Sequence, residues 1–359
     1  MANLFESVQL GSLVLANRVF MAPLTRNRAH ADGVPGELAA TYYSQRASAG
    51  LIVTEATQIS PMGKGYINTP GIHSSEQVRA WNRIVESVHK SGGRIFLQLW
   101  HVGRISHTSL LPNNAQPVAP SAIRANSQTL IATGLTPVSE PVALTASGIK
   151  ETLEDYRRAA NNAKEAGFDG VEIHAANGYL IDQFLKTGSN RRTDEYGGIA
   201  SNRVRFLTEV VERVLEAWDS RRVGVRISPT GSFNDMTDDN PRETFSVAVN
   251  KLNIYELGYL HVVETAQNSK GSSEEDLAVS AHLRRLWNGV YVANGGYDGP
   301  RGEEALRSGQ ADAVAYGRNF LANPDLPRRL QRGAALNEPD PTTFYGGDAA
   351  GYTSYPTLT

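Results

Sequence analysis

Eight short apolar runs, rich in β-branched residues, recur along the whole chain and constrain its fold more than any other feature of the sequence. They occupy residues 18–22, 51–57, 94–100, 170–176, 223–228, 259–264, 290–294 and 311–316. The runs are continuously apolar rather than alternating, which is typical of parallel strands that are covered on both faces. Eight such strands separated by helices predict a (β/α)8 TIM barrel, a fold of the α/β class.

Helical periodicity fills several of the intervals between these runs. Apolar residues recur at spacings of three and four in three segments, 78–88, 153–163 and 204–214. Ser201 is predicted to cap the third helix, and Gly167 and Gly258 to end helices before the next strand. The alternative architecture is an open doubly wound sheet. That fold usually has a glycine-rich turn after its first strand, where this chain has APLT at 22–25.

Extra length falls in two segments that follow strands. The first, about 101–148, contains five prolines, and the second, about 265–280, is polar. Long loops in compact domains are usually functional or disordered, and the strand-exit face of a barrel carries the active site. We therefore expect residues 1–359 to form a single barrel domain with a partial lid over its strand-exit face.

Composition and missing motifs exclude several classes of protein. Lys and Arg number 35 against 37 Asp and Glu, so a net charge of −2 disfavours binding to nucleic acid or to an anionic membrane. Cysteine is absent, which excludes disulfides and thiolate chemistry, and the histidines show no metal-ligand spacing. We found no signal peptide or membrane-spanning run, which predicts a cytoplasmic protein. The absence of GxGxxG, Walker and HExxH motifs disfavours a separate nicotinamide domain.

Glycines and arginines near the last strands predict an anion site. Gly295 and Gly296 follow the seventh run, and Gly317 and Arg318 follow the eighth. Barrel enzymes commonly bind phosphate between these two loops, although a turn with a surface ion pair is the alternative. Arg226 lies within the fifth run and needs a buried partner, which is either a bound ligand or an internal carboxylate.

Polar residues after the fourth run form the candidate reaction centre. His174, Asn177 and Tyr179 lie within six residues and offer donors to a substrate oxygen and a phenol that can deliver a proton. The alternative is a buried structural histidine followed by an Asn-Gly turn. Three aromatic residues could wall a pocket for a planar ligand, or pack the barrel rim: Tyr66, Trp100 and Tyr345.

Six segments are together highly specific for one family: MAPLTR at 21–26, QRASAGLI at 45–52, QLWHVGR at 98–104, HAANGYL at 174–180, NPDL at 323–326 and GYT at 351–353. Through them, and over nearly its whole length, the chain closely resembles the Old Yellow Enzyme family of FMN-dependent ene-reductases, in its bacterial nitroester and N-ethylmaleimide reductase branch. The resemblance implies tightly but non-covalently bound FMN, NADPH or NADH as reductant, and small activated alkenes as substrates.

The resemblance also implies a role for each site residue. Ten residues would hold FMN: Pro23, Leu24 and Thr25 along the isoalloxazine with the Thr25 hydroxyl on O4, Ala56 against the ring, Gln98 at the pyrimidine edge, Arg226 beside N1 and O2, and Gly295, Gly296, Gly317 and Arg318 at the phosphate. His174 and Asn177 would hold the carbonyl or nitro oxygen of the substrate, and Tyr179 would supply the proton. The substrate pocket would be lined by Thr25, Tyr66, Trp100 and Tyr345.

The implied reaction passes hydride from NAD(P)H to the flavin and then to the alkene, with both substrates using one pocket in turn. That arrangement accounts for the missing dinucleotide motif. The alternative within the same fold is a flavin-free lyase or aldolase with a phosphorylated substrate, although strand ends offer few carboxylates apart from Glu55 and Glu264. A barrel that binds FMN without turnover is a further alternative. We expect a monomer or a homodimer.

Overall fold

A computed structural model describes residues 3–264 and 274–358 of the chain. The strands are β1 (Val8–Leu10), β2 (Leu13–Leu15), β3 (Val19–Met21), β4 (Leu51–Val53), β5 (Thr57–Gln58), β6 (Ile95–Trp100), β7 (Val118–Ala119), β8 (Gln128–Ile131), β9 (Gly134–Pro137), β10 (Val142–Ala143), β11 (Gly170–Ala175), β12 (Val223–Ile227), β13 (Tyr259–Val263), β14 (Val290–Asn294) and β15 (Ala313–Tyr316). The helices are α1 (Leu38–Ser44), α2 (Ser75–Lys90), α3 (Ala146–Glu165), α4 (Leu180–Leu185), α5 (Ala200–Arg203), α6 (Arg205–Leu215), α7 (Pro241–Leu252), α8 (Glu274–Leu286), α9 (Gly299–Arg307), α10 (Arg318–Ala322) and α11 (Leu326–Arg332).

Eight parallel strands close into a barrel. Their order is β3, β4, β6, β11, β12, β13, β14 and β15, and β15 pairs with β3 to complete the ring. Each strand corresponds to one of the eight apolar runs, so the predicted (β/α)8 barrel is confirmed. The run at 51–57 is divided, because β4 ends at Val53 and the short strand β5 pairs separately with the carboxyl end of β6.

Helices pack around the barrel through the predicted apolar stripes. In α2, Val78, Trp81, Val85 and Val88 are buried, and Ser74 caps the helix in a reciprocal capping box with Gln77. The periodic segments 153–163 and 204–214 lie in α3 and in the α5 to α6 region, where their apolar residues are buried in the same core. The three helical predictions are therefore confirmed.

Two of the predicted helix ends differ from the structure. Ser201 lies inside α5, which begins at Ala200, so it does not cap α6; the chain turns at Val204 and α6 begins without a side-chain cap. Gly167 adopts a left-handed φ of 88° after α3, as predicted. Gly258 does not: the left-handed residue is Glu256, at φ 50°, because a short 3₁₀ turn follows α7 before the chain enters β13.

A short antiparallel hairpin, which the sequence did not predict, covers the amino end of the barrel. Strands β1 and β2 pair through three residues each. Their buried leucines and valine pack in one cluster with residues near the starts of the barrel strands: Leu51, Phe96, Tyr259, Val292 and Ala313. The amino end of the barrel is therefore closed by apolar packing, and the chemistry is left to the opposite end.

The first predicted insertion, 101–148, carries the antiparallel hairpin β8–β9 and the parallel pair of β7 with β10. This hairpin docks on two strand-exit loops. The backbone N–H of Ile67 donates to Leu130 O at 3.0 Å, and Ser127 Oγ donates to Asn234 Oδ1 at 3.0 Å. Of the second predicted insertion, 265–280, residues 265–273 lie outside the described residues, and α8 begins at Glu274. Among the described helices, none combines the length and apolarity needed to cross a membrane.

Candidate active site

Parallel strands bring their carboxyl ends to one face of the barrel, and the predicted site residues follow from that topology. The register places His174 of β11 opposite Arg226 of β12, and Arg226 opposite His261 of β13. Gln98 of β6 lies opposite Glu172 of β11. Residues separated by more than a hundred positions in sequence therefore share one end of the barrel interior.

Four predicted residues form a compact aromatic group. The rings of Tyr66 and Trp100 stack with centroids 5.9 Å apart and an interplanar angle of 8°. Tyr179 stands edge-on to both Trp100 and His174, with centroid distances of 5.1 Å in each case. The hydroxyls of Tyr66 and Tyr179 lie 3.2 Å apart. The structure thus brings these four predicted residues together, and Ala56 packs in the same cluster as Trp100 and Tyr179.

The turn that carries Asn177 is held by two residues that the sequence analysis did not identify. Asn177 and Gly178 both have left-handed φ values, 59° and 75°. The Asn177 backbone N–H donates to Ser228 Oγ at 2.7 Å, and the Gly178 N–H donates to Asp182 Oδ2 at 2.8 Å. Lys186 pairs with the same carboxylate, with Nζ 3.4 Å from Oδ2. No sequence signal marked Asp182 or Ser228, because both act through contacts that only the fold creates.

His174 and Tyr179 of the candidate site are both uncharged at neutral pH. Burial lowers the pKa of His174 well below its ordinary value of 6.5, and the charges of Arg226 and His261 lower it further. Burial raises the pKa of Tyr179 well above its ordinary value of 10, with added contributions from Tyr66. At neutral pH Tyr179 therefore keeps its proton, as a proton donor requires, and His174 is an uncharged imidazole whose buried Nδ1 finds no hydrogen-bond partner in the described structure.

Arg226 is buried and incompletely partnered. Its Nη2 donates to Asn294 Oδ1 at 2.9 Å, while its Nε is buried with no hydrogen-bond partner in the described part of the chain. No hydrogen bond or ion pair joins Arg226 to a carboxylate within residues 3–264 and 274–358, so an internal carboxylate can act on it only through charge at longer range. Burial lowers the pKa of the Arg226 guanidinium and Glu172 raises it. An unpaired buried donor on a cation fits an anionic or electron-rich ligand edge.

Glu172 forms a hydrogen-bonded network in the barrel interior that the sequence analysis missed. Gln98 Nε2 donates to Glu172 Oε1 at 2.7 Å, and the Tyr259 hydroxyl donates to Oε2 at 3.0 Å. His261 Nδ1 lies 2.8 Å from the same Oε2. Gln98, which is predicted to bind a cofactor edge, is thus held at its amide nitrogen by a carboxylate in the barrel interior.

The residues predicted to bind phosphate lie in the loops after β14 and β15. Gly295 and Gly296 have φ values of 142° and 65°, which open the backbone for close approach by a ligand. Gly317 precedes α10, and Arg318 is exposed on that helix. A hydrogen bond of 3.3 Å from Asn319 Nδ2 to the backbone carbonyl of residue 297 joins the two loops. Flexible glycine backbone beside a guanidinium suits a phosphate monoester, so these residues fit the terminal phosphate of FMN.

The segment after β3 lies beside these loops. Pro23, Leu24 and Thr25 are half-buried, and a Cβ placed on Gly317 would lie 3.4 Å from Leu24 Cδ2. Tyr345 is 63% exposed and makes no hydrogen bond within the described structure. It lies close enough to Tyr66 and Tyr179 to contribute to the raised pKa of both residues. The structure places Tyr345 near the aromatic group, with its ring edge-on to Phe344 at a centroid distance of 6.4 Å.

Glu55, next to Ala56, is a further buried carboxyl at this end of the barrel. Its Oε2 accepts the backbone N–H of Arg26 at 3.2 Å, and its own N–H donates to the Tyr43 hydroxyl at 2.9 Å. Burial raises the pKa of Glu55 to about 7, although the Arg26 N–H and the charges of Arg26 and Arg28 oppose this. Glu55 thereby ties the segment that follows β3 to the segment that follows β4.

Comparisons with known proteins identify the family to which the chain belongs. The sequence pattern of the NADH:flavin oxidoreductase / NADH oxidase family matches residues 3–337. 12-Oxophytodienoate reductase 1 of Oryza sativa subsp. japonica is 45% identical over 360 residues, covering 99% of this chain and 93% of that protein. Among solved structures, morphinone reductase is 50% identical with a TM-score of 0.96, covering 99% of this chain and 96% of that one.

A second solved structure, the Old Yellow Enzyme homologue of Zymomonas mobilis, is 43% identical with a TM-score of 0.96 and covers 99% of this chain and 100% of that one. The family pattern covers most of the chain, and the identities extend over nearly the full length of each relative. The chain therefore belongs to the NADH:flavin oxidoreductase / NADH oxidase family, the Old Yellow Enzyme family of FMN-dependent ene-reductases.

Proposed function

We propose that this enzyme reduces the C=C bond of activated alkenes, namely α,β-unsaturated carbonyls, maleimides and nitroalkenes, and that it also accepts nitroesters. The observation that carries the proposal is the meeting of two uncharged polar residues, His174 and Tyr179, at one aromatic wall. Relatives named for the reduction of 12-oxophytodienoate and of morphinone support the substrate class. The assignment to the bacterial nitroester and N-ethylmaleimide branch stays part of this proposal.

FMN is the family's cofactor, and the residues present fit it. Gly295, Gly296, Gly317 and Arg318 would hold its phosphate, and Arg226 and Gln98 would bind polar edges of its ring. When bound, FMN supplies the two-electron redox chemistry that links NAD(P)H to the alkene. Membership of this family removes the flavin-free lyase as an alternative.

His174 and Asn177 would bind the electron-withdrawing group of the substrate. A neutral imidazole N–H and a carboxamide N–H donate to a carbonyl or nitro oxygen, and their hydrogen bonds strengthen as negative charge develops there. The left-handed turn fixed by Ser228 and Asp182 holds Asn177 in place for this contact. Substrate orientation thus depends on the turn after β11.

Tyr179 would supply the proton. Its phenol O–H bond breaks as the proton passes to the α-carbon of the substrate, and the phenolate that remains regains a proton from solvent. The hydroxyl of Tyr66, 3.2 Å away, can donate to that phenolate in the interval. Trp100 and Ala56 exclude water from the same wall, since both are buried in the cluster that contains Tyr179.

Anaerobic spectrophotometry tests the proposal. The purified protein is mixed first with NADH or NADPH and then with N-ethylmaleimide, while flavin absorbance is followed. We expect the absorbance to bleach with the nicotinamide and to return with the alkene, with one succinimide formed per flavin. Bleaching without recovery in the presence of N-ethylmaleimide, 2-cyclohexenone or a nitroalkene would overturn the alkene assignment. The relative rates with NADH and NADPH give the cofactor preference.

A further inference from the structure

Glu172 is a buried carboxylate that has no role in the reaction described above. It lies in β11, two residues before His174, and is fully buried in the barrel interior. Its two oxygens accept hydrogen bonds from Gln98 and Tyr259 and face His261 Nδ1, at distances of 2.7, 3.0 and 2.8 Å. Burying a charged carboxylate costs free energy unless neighbouring groups compensate it, so the position of Glu172 calls for a functional explanation.

Glu172 is ionised in the folded protein. Burial raises the pKa of this carboxyl. The hydrogen bonds and charges of His261, Arg226 and Gln98 lower it by more, so the pKa of Glu172 lies below its ordinary value. An ionised carboxylate can only accept hydrogen bonds. His261 must therefore carry its proton on Nδ1, and Gln98 must turn its amide nitrogen, not its oxygen, toward Glu172.

This constraint fixes what Gln98 offers at its other end. With one Nε2 hydrogen committed to Glu172, Gln98 retains Oε1 as an acceptor and the second Nε2 hydrogen as a donor. The pyrimidine edge of a flavin has one N–H group between two carbonyl oxygens. In this orientation Gln98 Oε1 is free to accept the flavin N–H, and the second Nε2 hydrogen is free to donate to a flavin carbonyl. If the amide were flipped, its N–H group would face the flavin N–H, and two donors would oppose each other.

Glu172 also lies within electrostatic reach of Arg226. The register places Arg226 on the strand next to β11, and the charge of Glu172 is the largest influence that raises the pKa of Arg226. Part of the positive field of Arg226 is thereby neutralised. A bound group that gains negative charge on reduction is stabilised by the positive charge of Arg226. That stabilisation is smaller when the carboxylate of Glu172 offsets part of the charge.

We propose that Glu172 is a positioning residue for the flavin, which orients the Gln98 carboxamide toward the pyrimidine edge and lowers the reduction potential by offsetting Arg226. This inference rests on the proposed FMN site. Glu172 would affect the affinity for FMN through the orientation of Gln98. It would affect the reduction potential of the flavin through its charge.

The test uses the FMN-loaded enzyme and its Glu172→Gln variant. We expect the ratio of reduced to oxidised flavin, in equilibrium with a reference dye, to rise about tenfold, which corresponds to about 30 mV for two electrons. We expect the dissociation constant for FMN to rise about tenfold as well. Tyr259→Phe is the matched control, because it removes one hydrogen bond to the same carboxylate but keeps the charge. Its flavin ratio should stay within twofold of the original.

A double-variant cycle separates positioning from general damage to the fold. If Glu172 acts through Gln98, the loss of FMN affinity in Glu172→Gln should vanish when Gln98 is already leucine. Should Glu172→Gln fail to fold, Glu172→Asp provides the test, since a side chain one methylene shorter keeps the charge but releases Gln98. It should weaken FMN binding and leave the potential unchanged.

An unchanged potential in Glu172→Gln would overturn the inference, and so would an equal loss of FMN affinity with and without Gln98. In Glu172→Asp, unchanged FMN affinity would also overturn it. Failure of the proposed function is distinguishable, because it would appear in the unmodified enzyme as a flavin that N-ethylmaleimide does not reoxidise. An enzyme that cycles normally but does not respond at position 172 refutes only the role of Glu172.

Discussion

Replacement of Glu55 by glutamine should change how the stability of the protein depends on pH. Glu55 is 5% exposed, and its pKa is raised from an ordinary value of 4.5 to about 7, chiefly by burial. The folded protein therefore holds this proton up to about pH 7, whereas the unfolded chain releases it near pH 4.5. Between these values the unfolded state binds fewer protons, so the free energy of unfolding falls as the pH rises.

The magnitude follows from the two pKa values. Raising the pKa of one carboxyl from 4.5 to about 7 corresponds to about 3 kcal/mol. This contribution is fully present below pH 4.5 and is lost by about pH 7. Glutamine at position 55 has no proton to release, so Glu55→Gln should gain about 3 kcal/mol relative to the original protein across that interval. For 359 residues, with an unfolding entropy of about 2 cal/mol/K per residue, this is roughly 4 °C in Tm.

Scanning calorimetry of both proteins, with FMN in constant excess, measures the effect between pH 4.5 and 8. The informative quantity is the difference in Tm between Glu55→Gln and the original protein at each pH, because other titrating groups cancel in it. We expect this difference to grow by roughly 4 °C as the pH rises. A difference that stays flat over the whole range would refute the argument that burial holds the proton on Glu55.

Three further variants test other parts of the structure. Tyr179→Phe should slow reoxidation by the alkene about 10²- to 10⁴-fold and leave reduction by NAD(P)H unchanged, since only the former needs a proton; stopped-flow absorbance separates the two, and equal slowing of both contradicts the assignment. Gly103→Ala should lower Tm more than Gly92→Ala: both glycines have left-handed φ values, 61° and 79°, but only the new Cβ at position 103 would meet an atom, Gln183 Oε1, at 2.1 Å. An equal loss of Tm in the two variants would show that backbone strain, rather than the contact with Gln183, determines the loss of stability. Arg226→Lys should weaken FMN binding about 10- to 100-fold, measured by fluorescence titration, because lysine keeps the charge but loses the fixed geometry of the guanidinium; unchanged affinity would place Arg226 away from the flavin.

The barrel was predictable because its strands are buried on both faces and therefore read as continuous apolar runs. The proximity of His174 and Tyr179 was predictable for a related reason: His174 is a polar residue at the end of β11, and Tyr179 follows in the turn before α4. The β1–β2 hairpin was not predicted, because strands of three residues are too short to show a period. The Ser201 cap was wrong because α5 begins at Ala200, one residue before Ser201, so Ser201 lies inside a helix rather than before one.

Residues that act on other residues were harder to find than residues that act on a ligand. Glu172 stands in an apolar strand, and its importance follows only from the register that sets Gln98 opposite it. Asp182 lies inside α4, and its carboxylate matters because it accepts the Gly178 N–H of a neighbouring turn. Such contacts depend on how elements pack, which no local pattern in the sequence records.

The ladder between β15 and β3 has a consequence for how the protein is made. It pairs Val314 with Val19, so the ring cannot close until nearly the whole chain has left the ribosome. The proposed cofactor contacts are divided in the same way, with Thr25 near the beginning and Gly317 near the end. Pairing between positions so far apart in sequence is slow, and the open barrel exposes unpaired strand edges meanwhile. The proposed cofactor site is therefore incomplete until β15 has paired with β3, and the unclosed chain is the stage at which synthesis is most exposed to aggregation.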